Sequence, residues 1–417
     1  MLSTNFAMMV RVRGDVSVEQ VSAALNRIRV RHPVLAPAAE TFSVDGFFPL
    51  SVRLDCGDCD WIDVAQTELR ESFPDHPGPF ARFTLLRRAA EFDLVAAFHH
   101  GICDGMSGMF VLRDILQTLG DPQLELVSIP VPPPTGALIP KQVLSNPGLQ
   151  RKVWLTVAML RVQVLFEKIR RRLSLRKQAE APAAQQMSAG NPPPERQFVI
   201  LPERLTVAQT AALVARCKNE QVSVHAAVCV AWLRAFIGGA ASSHIGTVSS
   251  PVNLRERLSQ PVGDTSGLFL ATVETSVDCA QERDFWDAAR EFKHKLEQGS
   301  RNETLFFNPL LFSKIFTQVP PADIGILAEM LFAGPVKYDF SITNLGRVVI
   351  PEHCGALQVE AFYGPLVNSS VYERTVGVST LAGQMSMSFI FRKSMMEPAR
   401  GKEMVERAIG VLMDAVK

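Results

Sequence analysis

The sequence predicts a mixed α/β protein built in two halves, and three observations carry that prediction. At 417 residues the chain is too long for one ordinary core and fits two domains of about 200 residues each. Strand-like and helix-like apolar patterns alternate within each half. Between the halves, Lys177 to Arg196 is a stretch of Ala, Gln and Pro that suits an inter-domain linker. The boundary falls there, giving an N-terminal subdomain over 1–185 and a C-terminal subdomain over 186–417.

The first half opens on an apolar run, Met8 to Val12, that reads as a strand. Ser17 followed by Gln20 has the form of a capping box and starts a helix whose apolar positions run from Val21 to Val30. Phe42 to Leu54 and Phe83 to Phe98 read as further strands, with a helix over Ile62 to Ser72 between them. After Gly120 the texture turns to a proline-rich linker, Pro130 to Pro140, stiffest at Pro132-Pro133-Pro134. Trp154 to Arg172 is a helix, apolar for most of its length and basic at its end. Those cations complement the helix dipole and are placed to meet phosphates, an acidic carrier protein or a lipid surface; a packed helix with a solvated end explains them as well.

The second half begins with a strand at Phe198 to Leu201 and helices over Thr206 to Asn219 and Ser223 to Phe236. Strands at Gly246 to Pro251 and Thr272 to Val277, a helix over Phe285 to Gln298, and strands near Val376 and Met385 complete it. No internal repeat is visible.

Composition removes several function classes. Lys plus Arg at 43 against Asp plus Glu at 42 leave a net charge of +1, which calls for no nucleic acid or strongly anionic partner. Seven scattered cysteines are no disulfide framework, so the chain is expected to be cytoplasmic. Cys56 and Cys59 form a CxxC with no second pair to complete a zinc site and read as an ordinary loop; no metal site is expected. The N-terminus lacks a signal-peptide layout, and no run of about 18 uncharged apolar residues is present. His225 lies on an apolar helix without a local acid and reads as a core histidine rather than a second base.

The segment with chemistry in it is His99-His100-Gly101-Ile102-Cys103-Asp104-Gly105, an HHxxxDG pattern. It follows the apolar run Phe92 to Phe98 and precedes a helical stretch, so it sits where a strand turns into a helix. Histidine exchanges protons near neutral pH without extreme tuning. Adjacent residues on an extended chain face opposite ways, so only one of the two histidines faces a given cleft. His100, on the loop side, is the better base and His99 the better orienting residue. Asp104 stands at a helix start, where a carboxylate caps amides or pairs with a cation. Gly105 permits a backbone angle or close approach that a side chain would block. Cys103 occupies a position with no required chemistry and reads as a small buried filler.

This pattern resembles that of the condensation-domain and acyl-CoA-dependent acyltransferase superfamily. Val16 to Ala36, with Arg31-His32-Pro33-Val34-Leu35, is similar to its first helix and the turn after it. Ser249 to Arg255 is similar to the strand that ends in the second-half arginine, and Gly263 to Val273 to the loop that closes the tunnel floor. Ser341 to Gly346 and Val376 to Phe391 resemble the late crossover segment and the final strands. The resemblance implies two chloramphenicol-acetyltransferase-like α/β subdomains forming a pseudodimer with a central tunnel.

It also implies roles. His100 is the general base toward the acceptor and later protonates the leaving thiol, without an acyl-enzyme. His99 and Asp104 hold it in place, with Asp104 paired to Arg255 across the interface of the halves. Asn344, then Thr343 or Ser341, are the oxyanion candidates, although turn chemistry explains Asn344 nearly as well. No tightly bound cofactor is expected; an acyl-CoA or phosphopantetheinyl thioester is the co-substrate, a small alcohol the acceptor, and an acyl carrier protein a further partner where the donor is carrier-bound. The plant-type DFGWG motif survives only as Asp339-Phe340, and an epimerisation glutamate motif is not found. A free-standing O-acyltransferase of the polyketide-associated (Pap) or alcohol acyltransferase kind, in natural-product or lipid metabolism, is preferred. An amide-forming condensation enzyme and a noncatalytic acyl-binding scaffold stay open.

Overall fold

The computed structural model describes residues 5–35, 48–54, 60–73, 79–178, 197–237, 244–332, 338–368 and 374–417. Cys56, Cys59 and the segment from 179 to 196 lie outside these residues, as do residues 42–47 of the expected second strand.

The first half contains β1 (Asn5–Arg13), α1 (Val18–Arg31), β2 (Leu50–Leu54), α2 (Trp61–Arg70), β3 (Ala81–Arg87), β4 (Glu91–His99) and α3 (Gly105–Gly120). A short helix α4 (Lys141–Leu144) and the long α5 (Pro147–Gln178) follow. The second half contains β5 (Phe198–Arg204), α6 (Val207–Asn219), α7 (Val224–Ile237), β6 (Ile245–Asn253), β7 (Leu270–Asp278) and α8 (Phe285–Gly299). It continues through α9 (Asn302–Leu305), α10 (Phe307–Gln318), α11 (Pro321–Phe332), β8 (Phe340–Arg347), β9 (His353–Cys354), β10 (Leu357–Asn368), β11 (Arg374–Leu381), β12 (Gln384–Arg392) and α12 (Pro398–Val416).

These strands form two six-stranded mixed sheets, ordered β2-β3-β4-β1-β10-β9 and β5-β12-β11-β8-β6-β7. The alternation in β1 shows why both faces of the first sheet are covered. Phe6, Met8, Val10 and Val12 enter a core with α1 and α3, whereas Ala7 and Met9 enter a second core with Trp61 and Val64 of α2. That second core also holds Phe198, Ile200 and Ile390 of the other sheet, so it is an apolar seam between the halves. The second sheet packs its Phe340, Ile342, Val376 and Phe389 against α7, α8 and α12.

Local chemistry fixes several element ends. The Ser17 hydroxyl accepts from the Gln20 amide while the Gln20 side chain accepts from the Ser17 amide, closing the expected capping box. Thr206 and Gln209 repeat the device at α6.

Three expectations are corrected. The late crossing strand is β10, not the Ser341 to Gly346 segment, which is β8 in the second sheet. β10 lies antiparallel to β1, with Phe6 opposite Val367 and Val10 opposite Phe362, so the first sheet draws one of its inner strands from the end of the chain. The proline-rich segment is not a bare linker: Leu138 is buried against Val262 and Phe269, and its carbonyl accepts the Ser259 amide. The helix expected over Trp154 to Arg172 runs from Pro147 to Gln178 and takes in Lys177, assigned above to the linker.

Candidate functional site

The HHxxxDG turn lies where β4 ends and α3 begins. The amides of Ile102 and Cys103 both donate to the His99 carbonyl at 3.1 Å, which reverses the chain within a few residues. Strand alternation separates the histidines. Phe98 stacks on Phe6, and the His100 ring meets Phe6 edge-on at 5.1 Å. His99 turns the other way, edge-on to Phe73 and Phe80, and its Nδ1 accepts the Gly101 amide at 3.2 Å. His99 therefore pins the turn that carries His100.

His100 Nδ1 lies 3.1 Å from the Cys103 carbonyl. A carbonyl only accepts, so Nδ1 carries the proton and Nε2 keeps its lone pair in the neutral ring. Desolvation lowers the His100 pKa below the usual histidine value, against the opposing pull of the Cys103 carbonyl and the Asp104 charge. The ring is thus held neutral with one nitrogen able to take a proton. Cys103 is fully buried, and desolvation pushes its thiol well above the ordinary range, so it is no nucleophile.

Asp104 is 2% exposed and its carboxylate is saturated. Oδ1 accepts from the Ser107 amide and from Arg255 Nη2 at 2.8 and 3.1 Å; Oδ2 accepts from Arg255 Nη1 and the Phe269 amide at 2.6 and 3.0 Å. Asp104 is also the N-cap of α3. Arg255 donates further to the Ser107 hydroxyl and the Thr265 carbonyl, and its guanidinium lies 4.8 Å from the centre of the Phe269 ring. One buried bidentate ion pair thereby joins the motif to the 265–269 loop of the second half.

A second anchor was missed in the sequence. His32, in the turn after α1, is 1% exposed; its Nε2 donates to Asp114 Oδ2 at 2.9 Å and its Nδ1 faces the Ser266 hydroxyl at 3.1 Å. Arg31 pairs with the same carboxylate, and Arg113 bridges Asp114 to Asp264 at 2.7 Å each. Burial opposes the charge on Asp114, but the donors His32, Arg31 and Arg113 hold its pKa down at about 2. The only signal was the Arg31-His32-Pro33 turn, which gave no hint of its partner more than 80 residues away.

Gly105 serves close approach. A Cβ there would stand 3.1 Å from the side chains of Leu345 and Pro365, which crowd the start of α3 from β8 and β10. Leu345 fixes the facing of its neighbours. Strand alternation puts Asn344 on the side of Phe340 and Ile342, which pack on helices, and Thr343 on the side of Leu345, toward the motif. Asn344 Oδ1 accepts the Gly346 amide at 2.7 Å and closes a turn. His225 Nε2 meets the Ser250 hydroxyl at 2.9 Å, and burial alone lowers its pKa to about 4.

Residues 194–391 match the family model described as the C-terminus of phthiocerol/phthiodiolone dimycocerosyl transferase (PapA_C). No curated protein matches the chain in sequence. Among solved structures, polyketide synthase associated protein 5 from Mycobacterium tuberculosis is similar with a TM-score of 0.64 and 20% identity, over 99% of this chain and 94% of that one. Trichothecene 15-O-acetyltransferase from Fusarium sporotrichioides gives 0.70 and 12%, over 100% and 92%. The epimerization domain from the third module of tyrocidine synthetase B gives 0.62 and 15%, over 99% and 91%. The chain shares its overall fold with these proteins, and its second half is similar to the PapA_C family.

Proposed function

We propose that the protein transfers an acyl group from a thioester to a hydroxyl acceptor, with His100 as general base. The family match and the fold support an enzyme of acyltransferase or condensation type, and the fold alone does not choose the reaction, since an epimerization domain shares it. The observation that carries the reading is His100 itself: neutral, with Nδ1 tied to the Cys103 carbonyl and Nε2 left to accept.

In the proposed step Nε2 takes the proton of the acceptor hydroxyl as its oxygen attacks the thioester carbonyl. The C–O bond forms, the tetrahedral oxyanion collapses, the C–S bond breaks, and the departing sulfur receives the proton from Nε2. No acyl-enzyme is required. A general base contributes roughly 10² to 10⁴ in rate, so positioning of both substrates must supply much of the rest. Asp104 takes no proton in this scheme; with Arg255 it holds the motif against the second half. Thr343, on the motif side of β8, is preferred over Asn344 as an oxyanion donor.

Ester formation is preferred over amide formation because a protein of the same fold is named as a 15-O-acetyltransferase and the family similar to the second half is described as a phthiocerol/phthiodiolone dimycocerosyl transferase. The test is transfer from CoA and from carrier-bound thioesters to alcohol and amine acceptors, by the wild type and by His100→Ala. Ester product that disappears in the variant supports the reading. Amide product alone replaces it with the condensation alternative, and transfer unchanged in His100→Ala removes the general base.

A further inference from the structure

The outer face of α5 is dressed as though it were an inner one. Its buried side, Val153, Val157, Leu160 and Val164, packs with Leu310 and Ile315 of α10. On the opposite side seven large apolar residues between Trp154 and Ile169 stand in solvent, among them Trp154 at 66%, Leu165 at 58% and Phe166 at 68% exposure. At 3.6 residues per turn they cover an arc of about 140° and a length of about 22 Å. Scattered exposed apolar residues are normal; a continuous stripe of aromatic and aliphatic side chains is not.

Cations border the stripe. By helical spacing Arg161 and Lys168 fall along one margin, where Lys168 pairs with Asp323, and Lys152 and Arg170 along the other, where Lys152 lies over the Phe307 ring and Arg170 pairs with Glu167; Arg151 stands at the N-terminal end, and Glu167 is the one acid of the described side chains on this helix. A second copy docked face to face would bring like charges together on both margins. An acidic protein would answer the cations but leave the dry length of the stripe unexplained. An anionic lipid surface answers both: phosphates meet the arginines and lysines while Trp, Leu and Phe enter the boundary between headgroup and acyl chain. No helix among the described residues is long and apolar enough to cross a membrane, so the fitting arrangement is a helix lying in the interface plane.

We propose that α5 docks the protein onto anionic lipid surfaces through its Trp154-to-Ile169 face. The proposal is independent of the acyl-transfer reading. Trp154 provides a built-in reporter, because the other three tryptophans, Trp61, Trp232 and Trp286, are at most 5% exposed. The full chain is mixed with vesicles of phosphatidylcholine alone or of equal parts phosphatidylcholine and phosphatidylglycerol, and flotation and tryptophan emission are followed.

The expected result is flotation with the anionic vesicles, a blue-shifted emission quenched by brominated lipid, and weakening in high salt. The triple variant Trp154→Ser, Leu165→Ser, Phe166→Ser, altered only at exposed positions, loses at least about tenfold in partitioning. Lys152→Gln with Arg170→Gln weakens binding to anionic vesicles specifically. Three results would overturn the proposal: no flotation of the wild type, undiminished binding by the triple variant, or a lipid-free dimer that the triple variant dissociates.

Discussion

Asp104 and His100 are four residues apart in one turn, yet their surroundings assign them opposite work. The Asp104 carboxylate is buried and receives donors on both oxygens from Ser107, Arg255 and Phe269. His100 spends one ring nitrogen on the Cys103 carbonyl and leaves the other to accept. A saturated carboxylate has no capacity left for a substrate, so it positions; a half-satisfied imidazole has, which is why the reactive role is proposed for it. A short motif can therefore contain one structural residue and one chemical one, and partner geometry tells them apart.

Breaking each side of that comparison produces different losses. His100→Ala is expected to lower turnover by roughly 10² to 10⁴ while its denaturation midpoint stays near wild type, measured by steady-state transfer and by urea unfolding. Asp104→Ala strands the buried Arg255 charge and is expected to cost about 3–5 kcal/mol in unfolding free energy. Adding Arg255→Ala to it costs less than the sum of the singles, because the two act as one unit.

The second anchor gives a pH-dependent version of the same test. Asp114 has its pKa lowered from 3.8 to about 2, so its contribution is fully present above about pH 4 and is lost as pH falls through 2. Asp114→Asn is accordingly expected to be less stable than wild type by about 2 kcal/mol at neutral pH, with the gap closing in acid, read from unfolding at several pH values. Since desolvation lowers the His100 pKa, the acid limb of kcat/KM is expected below the ordinary histidine value of about 6.5. A smaller effect belongs to His99→Ala, which releases the solvent-reachable Gly101 amide and removes the edge contacts with Phe73 and Phe80: about 1–2 kcal/mol in unfolding free energy.

Local signals were legible and distant ones were not. The Ser17-Gln20 capping box, the strand over Met8 to Val12 and the strand-to-helix setting of HHxxxDG depend on neighbours a few residues away. They appear in the structure as read. The pairing of Asp104 with Arg255 was reachable only through resemblance, because 151 residues separate them. His32 and Asp114 carried no such cue: a buried histidine looks like any other until its partner is seen. β10 was missed because nothing local tells Leu357–Asn368 to leave the second half and lie against β1. The outward stripe of α5 was hidden for a different reason. Periodicity marks a helix with one apolar face, and one that is apolar on two opposite sides loses that signature.

The division of labour within the turn is tested most directly by single-turnover transfer in His100→Ala, at a temperature where it and the wild type are equally folded. The account predicts a rate at least about a hundredfold lower with the unfolding curve unchanged. A wild-type rate in the folded variant would contradict it.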